Sequence, residues 1–364
     1  MTLRIQLGGP WAVVAVRIPD HERTFPTFAI SLRPQGRERQ DGNGYVPQRW
    51  EDTRMSRAYG YTSYGGPETE TWFDRPEPAP GPSELVIRVK AIGVNPIDYT
   101  IRSGAMADPQ ATPAFPLVLG VEASGVVVAV GSDVTGFSEG DAVMGRSAPE
   151  HGSYAEHAVL LAEATAHKPP QLSFLQAAAL PVAGGTAWEV LERLDIVEGQ
   201  TLLINGIGGG VGVMGAQLAR DRGAAVFGVG SAAKRPLVES LGATLVPYDS
   251  GDVVEQMREL LPGGVDAILD LVGGGPLRQV AILITNPARI VSIVDPGVDE
   301  LGGTFLVSGT AGVPSVARLV AEGKVDPKIL QTYPFDEAPQ ALRAMESGHV
   351  LGKIVIDLEQ TTRA

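Results

Sequence analysis

The sequence predicts an α/β protein in which a β-rich domain is joined to a doubly wound parallel sheet. Three observations predict it. The apolar run Leu202-Leu203-Ile204-Asn205 enters a glycine turn, Gly206-Ile207-Gly208-Gly209-Gly210-Val211-Gly212, and leaves it as a helix carrying the small residues Gly215, Ala216 and Ala219. Strands and helices then alternate for about a hundred residues, the order that a parallel sheet covered on both faces requires. Before residue 177 the pattern is different: short strands punctuated by Pro and Gly, as in a small, twisted, barrel-like β domain.

Residues 1–54 differ from the rest. They hold eight Arg, no Lys and frequent polar, Gly or Pro breaks, with one short apolar run from Trp11 to Val16 suited to a strand. Such a segment offers little apolar surface to bury, so it reads as an appended, weakly ordered extension, with Met55 opening the compact part. An arm that packs on the body or on a partner is the rival reading. Next come β-branched runs over 85–91 and 125–131, then strands over 140–144 and 154–159. A helix over 187–194 leads into the glycine-turn strand. Strands over 225–229, 244–247, 265–270 and 289–293 alternate with helices over 234–241, 252–261 and 277–284. These strands are near-continuous apolar runs, the composition of strands buried on both faces. After 304–307 come a helix near 313–322 and a last strand over 353–357, expected to return to the β-rich domain.

Composition narrows the function. A chain of 364 residues is long enough for two domains and a large core. No apolar run reaches the roughly 18 residues of a membrane span, and the N-terminus lacks a signal peptide's basic start and apolar centre, so a cytoplasmic location is expected. The net charge of −13 argues against nucleic acid, whose binders are basic. There is no cysteine, which excludes disulfides, thiolate nucleophiles and Cys-ligated metal sites.

A glycine turn opening a helix lets a pyrophosphate approach bare backbone N–H groups. The usual fingerprint G-x-G-x-x-G needs Gly where Val211 or Val213 stands; the chain instead carries Gly206, Gly209 and Gly212 as G-x-x-G-x-x-G. A plain tight turn fits the same glycines, but the alternating elements around it favour a dinucleotide. NAD-specific sites hold the ribose 2′-OH with an Asp or Glu after the second strand. Here that strand runs into Gly230-Ser231-Ala232-Ala233-Lys234-Arg235, with no carboxylate before Glu239. Lys234 or Arg235 would attract a 2′-phosphate, a unit pair at about 4 Å being worth about 4 kcal/mol at an effective dielectric near 20, before desolvation. The same residues also suit two solvated side chains at a helix start.

Several ordered motifs resemble the medium-chain dehydrogenase/reductase superfamily, in its zinc-free quinone oxidoreductase (zeta-crystallin-like) branch. They are Tyr64-Gly65-Gly66-Pro67-Glu68; Gly93-Val94-Asn95-Pro96-Ile97-Asp98 with Ile101-Arg102-Ser103-Gly104; Leu119-Gly120-Val121-Glu122; Phe137-Ser138-Glu139-Gly140-Asp141; Gly152-Ser153-Tyr154-Ala155-Glu156; Thr186-Ala187-Trp188; the glycine turn; Leu241-Gly242-Ala243; and Gly352-Lys353-Ile354-Val355. The resemblance implies a GroES-like catalytic domain over 55–178 and 309–364, a Rossmann cofactor domain over 179–308, and an active site in the cleft between them. It also implies NADPH-dependent reduction of quinones or other conjugated carbonyl or alkene compounds, by a homodimer or homotetramer. Zinc-bearing relatives have a Cys ligand at the position of Asn95 and a His ligand at that of Val121, so no metal is expected.

The resemblance also implies site residues. Ser231, Lys234 and Tyr248, with Arg235 beside them, would hold the 2′-phosphate. Gly206, Gly209, Gly210, Val211 and Gly212 would lie under the pyrophosphate. Asn95, Thr186, Ser292, Ile293 and Lys353 would sit by the nicotinamide end. Candidate proton donors are Tyr64, Tyr99 and Thr100, with Asp98 as an orienting group. Enoyl-thioester reductases of the superfamily carry a Tyr where this chain has Met106. The Gly-rich stretch from Asp295 to Gly312 is expected to shape the mouth of the substrate site. Two alternatives stand beside the reductase reading: an enoyl reductase on a biosynthetic intermediate, and a cofactor-binding protein with little turnover.

Overall fold

The computed structural model describes residues 54–110, 112–307, 309–348 and 350–360. The expected extension over 1–54 lies outside these residues, apart from Arg54. Of the described residues, those within 54–107 and 112–360 form one compact unit, to which the following account applies.

The β-rich part begins with β1 (Met55–Tyr61), β2 (Glu70–Pro76) and β3 (Glu84–Val94), followed by helix α1 (Pro96–Arg102), β4 (Leu117–Val118), β5 (Glu122–Val130), β6 (Ala142–Ser147) and β7 (His157–His167). β1 lies between β2 and β4 in a small sheet. β3 pairs with both β5 and β7, so β3, β5, β6 and β7 close on one another as a barrel does. Closure covers the edges of these strands except at the end of β3, residues 91–94, which pairs with the strand over Lys353–Asp357.

A short helix α2 (Phe174–Ala178) leads to α3 (Ala183–Arg193). α3 starts four residues before its expected position because Gly184 and Gly185, poor helix formers, are useful there. A Cβ on Gly184 would lie 3.0 Å from Val316, and one on Gly185 3.2 Å from Val313, so the two glycines let a later helix pack closely on α3.

The parallel part then runs β8 (Thr201–Asn205), α4 (Gly210–Asp221), β9 (Ala225–Gly230), α5 (Arg235–Ser240), β10 (Thr244–Pro247), α6 (Val253–Leu260), β11 (Ala267–Asp270), α7 (Gly274–Ala281), β12 (Ile290–Ser292) and β13 (Thr304–Phe305). The strand order is β10-β9-β8-β11-β12-β13, all parallel. This is the doubly wound order, whose chain reversal beside β8 opens a crevice at the carboxyl ends of the strands. Alternation along β8 explains the double cover. Leu202 and Ile204 pack with α3 and α4 on one face, and Leu203 with α6 and α7 on the other; all three are fully buried.

The chain ends with α8 (Val313–Ala321), β14 (Ile329–Pro334), α9 (Ala338–Glu346) and β15 (Lys353–Asp357). α8 was expected with the β-rich domain. Instead its apolar face, Val313, Val316, Ala317 and Val320, shares a core with α3 and α4. β15 lies between β14 and β3 in the large β sheet.

Candidate active site

The crevice beside β8 forms one wall of a cleft with a volume of 490 Å³. Its floor is the glycine turn. Gly206, with φ at +91°, turns the chain out of β8 as only glycine does cheaply. Gly212 lets α4 start against the turn, because a Cβ there would lie 2.6 Å from the carbonyl oxygen of Ile207. The N–H groups of Gly208, Val211 and Gly212 meet no acceptor among the described residues. Together with the dipole of the twelve-residue α4, they favour an anion.

Lys234 lies over this turn, its Nζ 3.0 Å from where a Cβ of Gly208 would be. Its ammonium has no hydrogen-bond or ion-pair partner among the described residues, and burial pulls its pKa down. A cation held this way gains when an anion arrives. Close by, the carboxylate of Asp249 accepts from the Ala232 N–H at 2.9 and 3.2 Å. An acid thus reaches the end of β9 from a loop that follows β10, which the residues after β9 alone did not show.

The opposite wall is tied to the turn by a buried polar network. Gly352 donates its N–H to the Gly208 carbonyl at 2.9 Å. The ammonium of Lys353, 2% exposed, donates to Glu122 at 2.7 Å, to Asn95 Oδ1 at 2.8 Å and to the Val94 carbonyl at 3.2 Å. Asn95 Nδ2 donates to the same Glu122 oxygen at 2.7 Å. The other Glu122 oxygen accepts the Val182 N–H, at 2.7 Å, where α3 begins. Every charge in the network has an opposite or hydrogen-bonded partner, the condition for burying charge at acceptable cost.

Asp98 stands behind Asn95. Its Oδ2 accepts from the Asn95 N–H at 2.9 Å and the Tyr154 hydroxyl at 3.0 Å, while its Oδ1 has no partner. Burial pushes its pKa up to about 7, outweighing those two hydrogen bonds. Its role in the structure is to fix the backbone that presents Asn95.

The described chain has recognisable relatives. Residues 81–170 match the alcohol dehydrogenase GroES-like domain family, and residues 241–356 match the zinc-binding dehydrogenase family. The human NAD(P)H oxidoreductase RTN4IP1, mitochondrial, is 34% identical over 76% of this chain and 82% of its own length. The tomato (Solanum lycopersicum) 2-methylene-furan-3-one reductase is 33% identical over 82% of this chain and 78% of its own. The structure of Escherichia coli quinone oxidoreductase complexed with NADPH superposes with a TM-score of 0.74, at 26% identity, covering 83% of this chain and 99% of that one.

The chain belongs to the medium-chain dehydrogenase/reductase superfamily, in its zinc-free quinone oxidoreductase-like branch.

In this member of the superfamily the cleft gathers many of the expected residues. Asn95, Thr186 and Lys353 line it, as do Gly206, Gly209, Gly210, Val211, Lys234 and Ile293. Leu306 and Val307, from the Gly-rich stretch after Asp295, also face it.

Other expected residues lie elsewhere. Gly212 is under the turn rather than on the cleft surface. Ser292 points inward and donates to Asp270 at 2.7 Å, so it braces the loop beyond β11. Ser231, Arg235 and Tyr248 do not line the cleft; Arg235 pairs with Glu239 one helical turn on, and Tyr248 is 59% exposed. Of the four catalytic candidates only Tyr99 reaches the cleft. Thr100 turns back to the Pro96 carbonyl at 3.0 Å, and Tyr64 packs edge-on against Phe115. Asp98 is enclosed behind the wall.

Neither zinc-ligand position of the superfamily carries a suitable donor. The Asn95 amide is committed to Lys353 and Glu122, Val121 has no donor atom, and the chain has no cysteine. No group of three His, Asp or Glu that could hold a metal occurs among the described residues. Arg146, which belongs to none of the family motifs, also lines the cleft. Its signal was a lone charge in an otherwise small and apolar strand.

Proposed function

We propose that the protein is an NADPH-dependent reductase that delivers hydride to a quinone or another conjugated carbonyl or alkene acceptor, without a metal. The observation that carries this reading is the cleft itself. Bare N–H groups and an unpartnered Lys234 form one side, and a closed Asn95–Lys353–Glu122 network with apolar neighbours forms the other. The names of the relatives support it: one is complexed with NADPH as a quinone oxidoreductase, and one reduces a methylene-furanone, a conjugated ketone.

When bound, a reduced nicotinamide supplies hydride, and a proton from solvent completes reduction of the acceptor. The glycine turn and Lys234 would hold the phosphates, with Ser231 and Tyr248 toward the 2′-phosphate. Asn95, Thr186 and Lys353 would fix the nicotinamide end. Because Glu122 accepts from both Lys353 and the start of α3, it holds the two walls at one spacing. The apolar lining excludes water and suits a conjugated acceptor, whose π system spreads the incoming charge without a Lewis acid. Tyr99 offers a neutral hydroxyl on the acceptor side, its pKa raised by burial and by Glu346.

The test is NADPH oxidation followed at 340 nm with a panel of quinones and enones, alongside fluorescence titrations of NADPH and NADH. Turnover with at least one acceptor class, and a Lys234→Ala variant that loses roughly tenfold in NADPH affinity, are expected. NADPH binding without turnover on any acceptor would favour the binding-protein alternative.

A further inference from the structure

Giving up a hydride changes the charge of a nicotinamide. The reduced ring is neutral and the oxidised ring carries one positive charge; two electrons leave with the hydride for the acceptor, which also takes a proton from solvent. A fixed charge near the ring therefore binds the two forms unequally.

The topology says which strand ends face that ring. The glycine turn follows β8, and Ser231 and Lys234 follow β9, so the phosphates and the adenosine take that side of the crevice. β11 and β12 lie on the other side of β8, and Leu271, Val272, Ile293 and Val294 just beyond them line the cleft. The nicotinamide half is left to these ends.

One acid holds them. Asp270, the last residue of β11, is fully buried behind the lining. Its Oδ1 accepts from Asn205 Nδ2 at 2.7 Å, from the Gly273 N–H at 3.2 Å and from the Val272 N–H at 3.3 Å. Its Oδ2 accepts from the Ser292 hydroxyl at 2.7 Å and again from the Gly273 N–H at 3.0 Å. Asn205 and Ser292 end β8 and β12, so the acid ties three neighbouring strand ends. Ser292 Oγ accepts from the N–H groups of Val294 and Asp295, which leaves its own proton to Asp270. Every contact is donated to Asp270 and both oxygens are taken, the pattern of a carboxylate; a protonated acid would need an acceptor of its own. All the donors are neutral. Glu122, also buried, is closed by Lys353, whereas no cation pairs with Asp270 among the described residues. The hydrogen bonds satisfy the oxygens and leave a net negative charge in the wall.

We propose that Asp270 is a fixed negative charge that favours the oxidised, cationic form of the bound nicotinamide, and so favours release of hydride to the acceptor. The proposal rests on the NADPH-dependent reading for the cofactor and on no particular acceptor. Asp270 acts through its field and through the loops it ties, since it does not itself line the cleft.

The test is equilibrium binding with no acceptor present. NADP⁺ and NADPH are titrated calorimetrically into wild type, Asp270→Asn and Ser292→Ala. Wild type is expected to bind NADP⁺ at least as tightly as NADPH. Asp270→Asn keeps an oxygen for the Val272 and Gly273 N–H groups and loses the charge; NADP⁺ is expected to weaken at least about fivefold relative to NADPH, since a unit pair even about 10 Å apart is worth more than that at an effective dielectric of about 20. Ser292→Ala loosens the same loops but keeps the charge, so both forms weaken alike and their ratio holds within about twofold. A wild type that prefers NADPH, a ratio unchanged in Asp270→Asn, or one that moves as far in Ser292→Ala would each overturn the proposal; the first needs no variant to fold. If neither form binds, the cofactor reading falls and the proposal with it. If the ratios come out as expected but no quinone or enone is reduced, the charge stands and the reductase reading fails.

Discussion

Asp98 gives the most direct check on the electrostatics of the site. Replacing it with Asn keeps one oxygen to accept from the Asn95 N–H and the Tyr154 hydroxyl, the two bonds that Asp98 Oδ2 now accepts. What changes is the ability to ionise. Burial raises the Asp98 pKa from an ordinary 3.8 to about 7, so the folded state keeps a proton that the unfolded chain has lost. A raised folded-state pKa gives stability that is fully present below the unfolded pKa and is lost as pH rises through the folded one. Wild-type stability should therefore fall between about pH 4 and pH 7 from this group, at about 1.4 kcal/mol per pH unit. From pH 5 to pH 8 the Asp98→Asn variant is expected to gain about 2–3 kcal/mol relative to wild type, then no more. Urea unfolding at pH 5, 6, 7 and 8, read as the difference between the two proteins, measures it. A difference that does not change with pH, or one that moves against the variant as pH rises, would refute the claim that burial outweighs the hydrogen bonds.

Two further outcomes follow from the glycine turn and its surroundings. Gly212→Ala puts a methyl 2.6 Å from the Ile207 carbonyl oxygen, where only backbone movement gives relief; a stability loss of about 1–3 kcal/mol and at least a tenfold fall in NADPH affinity are expected, by thermal unfolding and fluorescence titration. Asp249→Asn keeps an acceptor for the Ala232 N–H but removes the negative charge beside the expected 2′-phosphate; the NADPH-to-NADH affinity ratio should rise about fivefold at low salt and less at high salt, and an unchanged ratio would place the phosphate elsewhere.

Local patterns were legible in the sequence where one segment carries the whole signal. The strand before the glycine turn is continuous, apolar and buried on both faces, and its residues say so. The start of α3 was hidden because its two glycines are justified only by Val313 and Val316 on α8. α9 is legible too, since Ala338, Ala341, Leu342 and Met345 have helical spacing. The polar network could not be read from spacing. Its members, Asn95, Glu122 and Lys353, are separated by 27 and 231 residues, and only the folded sheet brings them together. Asp249 illustrates the same limit at shorter range. It reaches back 17 residues to cap Ala232, so a scan for an acid just after β9 passes it by. Tyr64 and Thr100 are hydroxyls in or beside the family motifs, but side-chain direction, which motifs do not carry, turns both away from the cleft.

The position of β15 has a consequence for how the protein is made. Among the described residues this strand is the last regular element to be synthesised, yet it belongs in the interior of its sheet, between β14 and β3. Until it emerges, part of β3 has no neighbour along that side, and an open ladder invites association with other nascent chains. A chain cut before Gly352 should therefore accumulate as aggregates, since β3 is completed by a strand more than 250 residues later in the same polypeptide.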